Sequence, residues 1–182
     1  DTMGKLIVLE GTDGSGKATQ AAALLDRLRR EGVDCRKIEF PRYQEESSAL
    51  IREYLRGDFG EKPSDVNAFA ASTFYAVDRY ASYQQDWGGY YRQGGLVIAD
   101  RYTTSNAVHQ GSKLQGKERT DFFEWLFDYE YRLLGLPKPD LVIYLDVPVD
   151  QTEQNMHRRE IQTGASADIH ERDDGYLRAC RA

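Results

Sequence analysis

Residues 6–28 read LIVLEGTDGSGKATQAAALLDRL, and the middle of that stretch decides the fold. Leu6 to Leu9 are an unbroken apolar run inside Lys5–Glu10, the pattern of a strand buried on both faces. Leu24, Leu25 and Leu28 share one face of a following helix, which Gly32 is placed to end. Between strand and helix lies Gly11-x4-Gly16-Lys17. Glycines in that context let backbone amides turn inward around phosphate oxygens, and the helix start adds the positive end of its dipole. Lys17 is placed to reach terminal phosphates, so the loop Gly11, Asp13, Gly14, Ser15, Gly16, Lys17, Ala18, Thr19 is expected to hold a triphosphate. Two positions depart from the usual pattern. Ala18 stands where a Ser or Thr hydroxyl ordinarily ligates magnesium, and Thr19 is turned about 100° further round the helix. Asp13 puts a carboxylate beside a polyanion; it reads either as a solvated turn residue or as a partner of the second substrate or of the metal.

Composition narrows the classes. A chain of 182 residues makes about one domain with one core, here taken as 3–182. The net charge of −6 argues against non-specific binding to nucleic acid or membrane, which requires clustered positive charge. No apolar run reaches the length of a membrane span, and no secretory signal pattern is present. Cys35 and Cys180 lack metal-ligand spacing, which fits a reduced, cytoplasmic setting. Asp1-Thr2 ahead of Met3 reads as an appendage. An Asn-Lys-x-Asp base-reading motif is missing, so a GTPase is disfavoured.

Further elements follow in alternation. Val33–Phe40, Leu96–Ala99 and Leu141–Leu145 read as strands; 64–87 reads as a long helix. A second helix over 121–134 is expected to open on an Asp121-x-x-Glu124 cap and to set Phe122, Leu126, Tyr129 and Leu133 along a stripe. Strands alternating with helices imply an α/β fold with a parallel sheet, whose ligands bind outside the carboxyl ends of the strands.

The polar motifs fall at those ends. Phe40-Pro-Arg-Tyr43 puts a guanidinium that can fork two phosphate oxygens just past the second strand; alone, Arg42 is as readily a surface cation. Tyr75 and Arg79, in Tyr75-Ala-Val-Asp-Arg79, share a helix face, a pairing suited to a flat base but also to a core stripe. Asp100-Arg-Tyr-Thr-Thr-Ser-Asn106 places two charges directly after a buried strand. Pro139-Asp-Leu-Val-Ile-Tyr-Leu-Asp146 and Asp168-Ile-His-Glu171 follow.

Taken with the loop, these motifs in this order resemble those of the thymidylate kinases, P-loop nucleoside-monophosphate kinases, from Lys5 to about Arg178. The resemblance implies a P-loop kinase fold, a parallel sheet flanked by helices on both faces, and transfer of the γ-phosphoryl of ATP to dTMP. It implies that Arg42, with Tyr43, contacts the acceptor phosphate and that Tyr75, where the family usually has phenylalanine, stacks on thymine. By the same resemblance Arg79 contacts the base, Arg101 clamps phosphate, Asp100 and Asp13 help hold Mg2+ partly through water, and Ser105 and Asn106 lie near the acceptor base. His109 stands where the family tends to carry an aromatic that crowds a ribose 2′-hydroxyl. The loop has no arginine after Asp13, so a lid at about 157–170 is expected to supply the catalytic cation, Arg158 first and Arg159 second, from a segment running into Thr163, Gly164 and Ala165. The family's further strand and closing helix after the lid are expected to be missing. Family members usually pair as homodimers. Two alternatives stand beside this reading: a kinase for another (deoxy)pyrimidine monophosphate, and a nucleotide-binding module without turnover, for which Ala18 speaks.

Overall fold

The computed structural model describes residues 3–164 and 168–181. Four strands, β1 (Lys5–Glu10), β2 (Cys35–Glu39), β3 (Leu96–Asp100) and β4 (Leu141–Tyr144), form one parallel sheet in the order β2-β3-β1-β4. Alternation along β1 divides the core. Leu6 and Val8 point into a cluster with Ile38, Val97, Trp87, Tyr91 and Tyr102 on one face. Ile7 and Leu9 meet Ala21, Leu24, Leu28 and Ile98 on the other. Both faces are covered along β1 and β3, as their unbroken apolar runs imply. β4 departs from that expectation, because it is an edge strand and leaves Leu141, Val142 and Tyr144 exposed.

Helix α1 (Lys17–Arg30) starts from Gly16 and covers the second of those faces. Helix α2 (Ala49–Arg56) follows β2. The long helix begins at Ala68, later than expected, because Asn67 caps it: the Asn67 side chain accepts from Ala70 N–H at 2.9 Å. Residues Pro63–Asp65 form a separate 3-10 turn. From α3 (Ala68–Ser82) the chain passes through a π-helical segment, Tyr83–Trp87, into α4 (Gly88–Arg92). After β3 come α5 (Thr103–Gly111) and α6 (Gly116–Phe127).

Helix α6 corrects two expectations. Asp121 is no cap; the helix has already begun at Gly116, and Asp121 pairs with Lys117 one turn earlier at 2.7 Å. Nor does the stripe continue to Leu133. Phe122 and Leu126 are fully buried, but the helix widens into a π-helical segment at Asp128–Leu133. The extra residue per turn rotates Leu133 into solvent and turns Glu130 into the core. The second strand is also shorter than the expected Val33–Phe40.

Helix α7 (Val149–Thr163) and helix α8 (Asp174–Arg181) complete the chain, α8 folding back on α5, where the Tyr176 hydroxyl donates to the His109 carbonyl at 2.6 Å. Ala165 and the other lid positions 165–167 lie outside the described residues. Among the described residues no helix is long and apolar enough to cross a membrane.

Candidate active site

In-register pairing of Leu9 and Glu39 with Asp100, and of Glu10 with Tyr144, aligns the carboxyl ends of all four strands. A cavity of about 920 Å³ opens there.

One wall is the glycine loop. Gly14 (φ 79) lies so close to α7 that a Cβ would run into the Thr152 carbonyl, and its own carbonyl accepts from Asn155 Nδ2 at 2.7 Å. Loop and lid helix are thus tied directly. Gly16 (φ 85) supplies the left-handed turn that aims α1 at the cavity. Lys17 is buried at the mouth of the helix. Burial, then the charge of Arg101, lower it from 10.5 to about 8. Ala18 lines the cavity and Thr19 is exposed away from it. The Ser15 hydroxyl is buried without a hydrogen-bond partner among the described residues.

Glu10, which the sequence reading passed over, closes β1. Its carboxylate accepts from Gly11 N–H at 3.1 Å, Thr104 Oγ1 at 2.7 Å and Ser105 Oγ at 2.7 Å. A carboxylate between an apolar strand and a glycine loop was its only visible signal.

Arg101 is the centre. It is the one non-glycine residue with positive φ (66°) among the described residues. Its guanidinium bonds Asp13, Ser105 Oγ (3.2 Å) and His109 Nε2 (3.1 Å), with Glu10 at 3.9 Å. Burial opposes the charge on Asp13, but the Arg101 guanidinium, with Lys17, outweighs it and holds the carboxyl below the usual range. Asp100 lines the cavity next to Arg101.

The base side is a buried polar network. Arg79 is 1% exposed and forks Glu130 through Nε (2.6 Å) and Nη2 (2.7 Å); Nη2 also donates to Asn106 Oδ1. Thr103 Oγ1 adds a bond to Glu130 at 2.9 Å. Tyr75, Arg79, Ser105, Asn106 and His109 all line the cavity, and Tyr75 meets Tyr54 edge-on at 6.5 Å. Glu130 was missed because its burial depends on the π segment.

Two expected residues are not brought to the wall. Arg42 is drawn aside by Asp78 (backbone N at 2.9 Å, Nε at 3.3 Å), Ser47 and Gln85, while Tyr43 and Arg52 line the cavity in its place. In the lid, Arg159 faces the cavity and Arg158 is exposed outside its lining. Arg159 is paired with Glu171, and Arg172 lines the cavity beside them. Asp168 also faces in. Burial, with Asp13 and Glu171 nearby, raises it to about 6.

A parallel sheet with a glycine loop at the end of its first strand, a buried lysine opening the next helix and a cation-lined cavity at its strand ends define a P-loop nucleotide kinase. The fold matches that of the thymidylate kinase of Candida albicans with a TM-score of 0.70 at 24% identity, over 100% of this chain and 76% of that one. The family described as thymidylate kinase matches residues 9–181. The chain is 34% identical over 170 residues to the thymidylate kinase of Mycobacterium tuberculosis, covering 92% of this chain and 78% of that one. It is 31% identical over 144 residues to the thymidylate kinase of Homo sapiens, covering 79% and 61%. The chain belongs to the thymidylate kinase family.

Proposed function

We propose that this cavity carries the reaction of that family, ATP-dependent phosphorylation of dTMP to dTDP, with the following division of labour. An oxygen of the dTMP phosphate attacks the γ-phosphorus of ATP, and the bond to the β-phosphate oxygen breaks, leaving ADP. Such transfer needs positioning and charge neutralisation and no covalent intermediate. The loop amides and Lys17 hold the ATP phosphates. Arg101 bridges the two substrates, because its guanidinium reaches from the loop (Asp13) to the acceptor wall (Ser105, His109). That placement of Arg101 is the observation that carries the reading.

On the acceptor side, Tyr75 stacks on the base, while Arg79 and the Asn106 amide read its carbonyl edge. Glu130 holds Arg79 rigid, so the base meets a fixed donor. Arg52 and Tyr43 stand nearest the acceptor phosphate, and Arg42 joins them once released from Asp78. Arg159 and Arg172 are the lid cations of this conformation.

Mg2+ fits the donor set. Asp100 and Asp13 offer hard carboxylate oxygens next to Lys17, and phosphate oxygens and water would complete the shell of an ion held there. When bound, the ion neutralises charge shared by the two phosphates. Alanine at position 18 removes one hydroxyl ligand and leaves these two.

Phe69, Val77 and Tyr80 form an exposed apolar stripe on α3, the face we assign to a homodimer. Both cysteines are unpaired, in keeping with a cytoplasmic enzyme. ADP release over dTMP, dUMP, UMP and dCMP tests the acceptor assignment. Turnover is expected to be fastest with dTMP, and equal turnover of dCMP and dTMP would refute the base site.

A further inference from the structure

Behind Arg101 the cavity wall is built from α5 and α8 around His109, which is 7% exposed. Its Nε2 lies 3.1 Å from Arg101 Nη1 and its Nδ1 3.5 Å from Cys180 Sγ. Cys180 Sγ is 3.5 Å from Ser112 Oγ, which donates to the His109 carbonyl at 2.8 Å. The imidazole stacks on His170, with centroids 5.5 Å apart and planes 14° apart.

One arrangement of protons satisfies this chain. A guanidinium offers no lone pair, so Arg101 donates and Nε2 accepts. Nε2 is therefore bare, and the neutral ring carries its proton on Nδ1, aimed at the Cys180 sulfur. The thiol donates onward to Ser112, and Ser112 to the helix carbonyl. Every donor points the same way, the condition in which each bond polarises the next. Burial, then the charge of Arg101, hold His109 down to about 3, so the ring stays neutral.

We propose that His109 is a positioning residue for Arg101: its Nδ1–H tautomer, with that proton received by Cys180 of α8, presents Nε2 as the acceptor that fixes the guanidinium between the phosphate loop and the acceptor wall. The inference rests on the reading of Arg101 as the phosphate clamp. It also gives α8 a part in the site. No α8 side chain lines the cavity among the described residues, yet its sulfur receives the Nδ1 proton of the ring whose Nε2 faces Arg101.

The test has two arms on the whole chain. Long-range 15N–1H spectra of the imidazoles report tautomers directly, and with three histidines the loss of one signal set in His109→Phe assigns them. Nε2 of His109 is expected at the unprotonated shift and Nδ1 at the protonated one; a protonated Nε2 overturns the proposal. Kinetics form the second arm. His109→Phe keeps a ring but offers no acceptor, and kcat is expected to fall roughly 10- to 100-fold with the KM for ATP within about twofold. His109→Gln, whose amide oxygen reaches the Nε2 position, is expected to recover most of the loss. A phenylalanine variant as active as the parent, or a folded glutamine variant no better than phenylalanine, overturns it. If Arg101→Ala left turnover intact, the clamp reading would fail, while the nitrogen shifts would still decide the tautomer.

Discussion

Arg101 shows what a single residue is asked to do here. Its left-handed backbone costs about 1–3 kcal/mol, and such strain persists only where surrounding bonds over-determine it. Asp13, Ser105 and His109 supply those bonds. Next to it, Asp100 bears on the metal. Asp100→Asn is expected to abolish most turnover, whereas Ala18→Ser should change kcat by less than about tenfold, or ~1.4 kcal/mol. A magnesium titration of ATP and dTMP turnover in both variants decides this, and a large gain from Ala18→Ser would mean that the alanine disables the loop. Glu130 carries a second residue-scale prediction. Glu130→Gln leaves the Arg79 charge buried without its counterion, which costs about 3–5 kcal/mol when a buried pair is broken. Chemical denaturation should show that loss, and discrimination against dCMP should weaken with it. The Tyr75–Arg79 pair was legible because four residues of α-helix bring two side chains to one face. Glu130 was not, because the π segment between Asp128 and Leu133 carries no spacing signal of its own.

Among the elements, the lid is where chain pattern and structure part. A charged helix end announces cations, but which of two adjacent arginines faces the phosphates depends on the angle at which α7 docks. That angle is set by contacts distant in sequence, Asn155 on the Gly14 carbonyl above all. Arg159→Ala is therefore expected to lower kcat by roughly 10³-fold with little change in dTMP affinity, and Arg158→Ala to have a much smaller effect. Single-turnover kinetics and dTMP titration separate the two, and a larger loss from Arg158→Ala would show that the lid closes in another rotation. The strands were legible for the opposite reason. Leu6–Leu9 and Leu96–Ala99 bury both faces, so local composition alone marks them. Asp121 misled because Asp-x-x-Glu describes a cap only where a helix begins, and Lys117 shows that this one had begun a turn earlier.

For the molecule as a whole, the buried titratable groups set a pH dependence. His109, down to about 3, and His170, well below its usual 6.5, are neutral in the fold because burial disfavours their charged forms. Below about 6.5 the unfolded chain binds protons that the folded chain refuses. Their contribution is whole above that pH and is lost as pH falls toward 3. Asp13, held below its usual range, acts in the same direction below about 3.8. Asp168 acts in the opposite direction: raised to about 6 by burial and its acidic neighbours, its contribution is whole below 3.8 and lost as pH rises through 6. Two histidines outweigh one carboxyl, so Tm should fall between pH 6.5 and pH 4.5, and fall less in His109→Phe. A Tm that rises over that interval would show that the histidines are not buried neutral. A phosphoryl group is expected to move from ATP to dTMP in the cavity that Arg101 spans. The direct measurement is transfer of label from γ-labelled ATP to dTMP, in the presence of Mg2+, by the parent chain and by Arg101→Ala. Labelled dTDP is expected from the parent, and roughly 10³-fold slower from the variant. No labelled dTDP from the parent, or equal rates from both, would contradict the account.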